Sequence, residues 1–122
     1  MPIRIKSRTP YQGNASPSAL NTETDIINLA SQTDAYIVEG QIDLVNLASG
    51  DAVTLKVYIA VDGINQRLSD SQSFSGAQSI PVVRVPAHTL LSNGKFRVTI
   101  TQTSGTLRSF PYSFLMELME EI

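Results

Sequence analysis

Between Ala52 and Asp62 a large apolar residue falls at every second position. Val53, Leu55, Val57, Ile59 and Val61 fall on one side; Thr54, Lys56, Tyr58 and Asp62 fall on the other. A period of two held over this length predicts a half-buried antiparallel strand with one face in a core. The same alternation returns at the end of the chain. Phe96, Val98 and Ile100 alternate with Arg97, Thr99 and Thr101; after Ser104-Gly105, so do Phe110, Tyr112, Phe114, Met116 and Leu118 with smaller or polar residues. Lys95 to Leu118 therefore reads as a long β-hairpin.

Weaker patterns fill the space between. Residues 22–30 (TETDIINLA) make a first strand whose large apolar residues are Ile26, Ile27 and Leu29. Residues 35–44 put Tyr36, Val38, Ile42 and Leu44 on one face with Gly40 between them, and Glu39, Gln41 and Asp43 on the other. A glycine inside a strand marks a bulge or the close approach of another backbone. Asp62-Gly63 predicts a two-residue type I′ hairpin turn, returning along a polar edge strand from Ile64 to Phe74. Pro81 and Pro86 confine residues 79–86 to a sheet edge, and residues 87–95 read as a loop closing on Asn93-Gly94. The sum is about seven strands with turns at sandwich spacing and no helical period. The predicted fold is all-β: a single antiparallel β-sandwich, with jelly-roll and immunoglobulin-like topologies both open.

The two ends differ from the middle. Residues 1–19 hold Arg4, Lys6 and Arg8, three prolines and no acidic residue. Such a segment favours extended backbone and has too little apolar surface to form a core of its own. It reads as an N-terminal arm, disordered in isolation or ordered on a neighbouring subunit, followed by the sandwich over 20–118 and an acidic tail at 119–122.

Composition narrows the function by exclusion. The 122 residues suit one domain. Charged residues make up 16% and the net charge is −2. That is below the roughly 25% charged residues of ordinary domains, which favours self-association, and it makes a nucleic-acid partner unlikely. The chain has no cysteine and one histidine, His88, so neither a disulfide framework nor a usual zinc site can form. No segment reads as a membrane span or a secretory leader, and a protein made in a cytoplasm is expected. His88 lies beside no nucleophile motif, and the glycines precede no helix that could cradle phosphate. Glu39, Asp43, Asp51 and Asp62 read as solvated strand residues and turn caps; paired-carboxylate sugar chemistry lacks both a cleft and tryptophan. Calcium at the turns lacks the spaced oxygen ligands of a calcium loop. No catalytic residue, cofactor or metal ligand is predicted.

Three stretches, EGQIDLVNLASGDAVTLKVYIAVDG, SFSGAQSIPVVRV and FRVTITQTSGTLRSFPYSF, resemble small β-sandwich accessory proteins of tailed-virus particles, the decoration or cement subunits. The resemblance spans most of residues 23–115. It implies a non-enzymatic virion protein, made in the host cytoplasm, which stabilises a shell by oligomerising, as a trimer by preference, and by docking on a major capsid or other virion protein. The residues it implies as assembly contacts are Arg4, Lys6, Arg8 and Tyr11 on the arm, Tyr58 on a polar strand face, and Met116 and Leu118 at the end of the apolar stripe. Two other readings stand beside it: a tail-associated virion protein, and a carbohydrate-binding or adhesin-like module using Tyr11 or Tyr58.

Overall fold

A computed structural model describes residues 2–121. They form eight strands and no helix: β1 (Ile3–Ala15), β2 (Thr24–Leu29), β3 (Tyr36–Asp43), β4 (Ala52–Ala60), β5 (Arg67–Ser75), β6 (Val82–Leu90), β7 (Lys95–Ser104) and β8 (Phe110–Glu121). Two four-stranded antiparallel sheets result, in the orders β1-β8-β3-β6 and β2-β7-β4-β5. The pairs β1/β8, β2/β7, β3/β6 and β4/β5 describe a chain doubled back on itself between β4 and β5, and the doubled ribbon is rolled so that β3 meets β8 and β4 meets β7. This is the jelly roll, which resolves the topology the sequence left open.

The core lies between the sheets. Val53, Leu55 and Val57 of β4 and Phe96, Val98 and Ile100 of β7 face Tyr36, Val38 and Ile42 of β3 and Phe110, Phe114, Met116 and Leu118 of β8. Strand alternation placed these faces correctly, because each strand has one dry side. Gly40 has the predicted close approach. A Cβ there would enter the Phe114 ring and come within 2.5 Å of the Ser113 carbonyl oxygen, so only glycine lets this aromatic lie across the strand.

Several expectations are corrected. There are eight strands, because residues 3–15 of the expected arm form β1 and pair with β8 along their whole length. The arm has no core of its own but borrows one: Tyr11 packs on the cluster and Ala15 lies within it. The acidic tail is likewise strand up to Glu121; Met1 and Ile122 lie outside the described residues. Residues 95–118 are not a hairpin, since β7 and β8 belong to opposite sheets and the chain crosses between them over residues 105–109. Alternation reports that a face is buried, and two strands closing one core from opposite sides satisfy it equally.

At Asp62-Gly63, Gly63 has φ +78° but Asp62 does not have positive φ, which rules out a type I′ turn. Instead the Asp62 carboxylate accepts bonds from the Ile64 and Asn65 amides within a six-residue connection, and Val61 is exposed rather than in the core. Residues 87–90 belong to β6, where Pro86 sits in a bulge opposite Glu39 that absorbs its missing donor.

Candidate interaction surfaces

Several polar side chains of this fold are committed to one another. On β1, Arg4 faces Glu120 of β8 and donates from Nε to its carboxylate at 2.7 Å. Lys6, the extra residue of a bulge, reaches Asp34 at 3.8 Å, and Arg8 lies opposite Glu117 in register. Arg4 and Glu120 thus tie the basic arm to the acidic tail across the β1/β8 ladder, while Lys6 reaches the β2–β3 connection. All three basic side chains remain largely exposed, and such pairs add about 0–1 kcal/mol each.

Tyr58 stands at the centre of a network on the outer face of the β2-β7-β4-β5 sheet. Its hydroxyl donates to Glu23 at 2.6 Å, Thr99 donates to the same carboxylate at 2.7 Å, and the Arg97 guanidinium lies over the Tyr58 ring while pairing with Asp25 at 2.6 Å. The Tyr58 and Thr99 hydroxyl bonds hold the Glu23 carboxyl below its usual range, and the neighbouring Glu23 carboxylate holds the Tyr58 phenol above its own. Asp25 holds the Arg97 guanidinium above its ordinary value. The network ties β4 and β7 to the start of β2 across that outer face.

A second hub closes one end of the sandwich. Asp51 is 2% exposed, yet its carboxylate accepts the Ala48 and Thr106 amides and pairs with Arg108 at 2.7 Å. The Arg108 bond, then the amides, keep its carboxyl below the usual range. Gly105, at φ +85°, lies directly against Asp51, with no room for a side chain. The predicted turn-capping role holds here and is enlarged, since one carboxylate ties the 44–51 and 105–109 connections together.

Of the remaining expected contacts, Tyr11 is half-buried, whereas Met116 and Leu118 are core residues with little surface to offer a partner. The apolar stripe on β8 is long because β8 is an inner strand, paired with β1 up to Glu121, whose inner face lies in the core as far as Leu118. His88 is half-buried against Phe96; its Nδ1 is 2.6 Å from the Pro86 carbonyl oxygen, and no nucleophile bonds to it. Among the described residues no group of three potential metal ligands comes together.

Surface apolar residues gather at the two ends, which the strand pattern could not show. Val61, Ile64 and Leu91 are exposed on connections at one end, where a cleft of about 280 Å³ runs between Val61, Leu91 and His88. Leu20, Val45, Ile80 and Leu107 are exposed at the other. The available signal was single aliphatic residues inside polar loops, and one such residue is ordinary on any surface.

The fold defines a class, the eight-stranded jelly-roll sandwiches. By sequence, no family and no curated protein matches the chain. By structure, it is similar to VP2 of infectious bursal disease virus. The VP2 subviral particle aligns with a TM-score of 0.50 at 9% identity, over 95% of this chain and 33% of that one. The structure of the Gx strain of that virus gives 0.50 and 9%, over 97% and 33%. The chain therefore spans about a third of the length of these neighbours, and at this identity the likeness is one of fold.

Proposed function

We propose that this protein is a non-enzymatic structural subunit of a virus particle, located in the virion after synthesis in the host cytoplasm. The observation that carries the reading is the complete jelly roll, similar over nearly its whole length to a third of the chain in the VP2 subviral particle. Internal commitment of the polar groups supports it: Glu23, Asp25, Asp51, Tyr58 and Arg97 hold strands and loops together. Function then falls to surfaces, and those available are unpaired strand edges and apolar loop ends.

Within that class the protein is a decoration subunit. It associates with copies of itself, as a trimer by preference, and docks on a major capsid or other virion protein, with no membrane or nucleic-acid partner. Arg4, Lys6 and Arg8, at the exposed start of β1, are the contacts proposed for docking, with Tyr11 further along β1 and Tyr58 on the outer face of the other sheet. Adding the purified protein to particles that lack it tests this directly. Saturable binding with raised thermal stability of the shell is expected. Binding to a glycan array with no binding to particles would transfer the function to the sugar-binding class.

A further inference from the structure

Each sheet has two edges, and three of the four resist further pairing. β1 carries Pro10 in mid-strand, a bulge at Lys6 and three cations. β6 follows Pro81 and is interrupted and bulged at Pro86. β2 has six residues with a bulge among them. Proline, cations, bulges and shortness are the devices that keep edges from recruiting another strand. β5 is less guarded. Its bulge, at Ser69, lies near its start; beyond it, Asp70 to Ser75 runs DSQSFS with no proline, glycine or cation. Every residue of β5 except Phe74 is exposed. The edge is also unfinished on its inner side, where Asp70 and Gln72 overhang a cavity of about 70 Å³ floored by Leu55, Val57 and Val98.

We propose that β5 is the seam at which two copies of this chain meet, edge to edge and antiparallel about a two-fold axis near Gln72, so that the paired residues lie within Asp70 to Ser75. Two four-stranded sheets then become one sheet of eight. A second copy is the occupant that the charge pattern fits. Asp70 is the sole charge between Leu68 and Ser75 and its carboxylate is held within its own strand by the Ser71 amide, so a two-fold at Gln72 opposes no like charges and pairs Gln72 with Gln72 and Ser71 with Ser73, side chains that both donate and accept. A strongly basic or acidic foreign strand would find almost nothing complementary here. Self-complementarity of one patch is what a two-fold interface requires. The inference rests on the assembly reading and names a two-fold contact that forms between like copies in solution, separate from the three-fold association proposed for the shell.

The test uses the full chain, by analytical ultracentrifugation across a concentration series and by amide hydrogen exchange. Wild-type protein should dimerise, with the amides of residues 70–75 gaining protection as concentration rises. Ser71→Lys with Ser73→Lys sets like charges face to face and should weaken association roughly a hundredfold, while Gln12→Lys on the β1 edge should leave it unchanged. If the double variant fails to fold, the exchange pattern of the wild-type chain decides alone. Association that persists in a folded double variant, or that leaves residues 70–75 unprotected, overturns the β5 seam and leaves the assembly reading standing. A chain that is monomeric alone yet enters particles does the same, including where β5 becomes protected only on a foreign partner. A chain monomeric at all concentrations and absent from particles removes both.

Discussion

Gly40 shows how far one residue's chemistry could be read before the fold was known. A glycine in the middle of an alternating strand signals close approach, but not by what. The structure supplies Phe114, a cross-strand neighbour in register whose ring occupies the space a Cβ would take. Gly40→Ala forces that ring or the β8 backbone to move, and overpacking of this kind costs about 1–3 kcal/mol; urea denaturation should show a lower midpoint at unchanged slope. Asp51 was legible only as a turn residue, because its partners Thr106 and Arg108 lie far along the chain. Its carboxyl titrates below the ordinary 3.8 in the folded state. Its contribution to stability is therefore full above about 3.8 and is lost as pH falls through the lower folded value. Asp51→Asn should lower stability at neutral pH, and the gap from wild type should close as both are acidified. A gap that is constant with pH would show that the charge is not what matters.

Strands are where the sequence was most informative and where its limits are clearest. Period two identified the buried faces of β3, β4, β7 and β8, since burial on one side leaves a direct mark on composition. It could not assign sheets, because β7 and β8 carry the same mark on opposite walls of the core. Nor could it see β1, whose first residues are exposed on both faces and whose stability comes from pairing. Position within a strand matters as well. Leu55 and Val61 belong to one apolar stripe, yet Leu55 is 6% exposed and Val61 is 81% exposed. Leu55→Ala should cost about 2–5 kcal/mol, nearer the lower end because it borders the cavity beneath β5; Val61→Ala should stay within about 0.5 kcal/mol. The arm divides in the same way. Removing residues 1–8 strips only the exposed part of β1, and the sandwich should keep its cooperative thermal transition. Removing residues 1–19 also takes Tyr11 and Ala15 from the core and leaves β8 as a bare edge, so that chain should unfold at lower temperature and aggregate. Equal behaviour of the two truncations would mean that β1 does not contribute to the core.

At the scale of the whole molecule, the chain joins its two ends into one ribbon, pairs some of its charges across strands and leaves apolar loops and a less guarded edge outside. These features suit a tile, a body whose work is done at its boundaries. Low charge was visible in composition; which boundaries stay open depends on the order of strands in the sheets and was not. The claim that this tile belongs to a virus particle is tested most directly by quantitative mass spectrometry of particles purified by density gradient from cells in which the chain is expressed from its own genome. The account predicts the chain in the particle band, in many copies per particle and in fixed ratio to the main shell protein through repeated banding. Its absence from that band, with the protein left soluble and monomeric in the supernatant, would contradict the account.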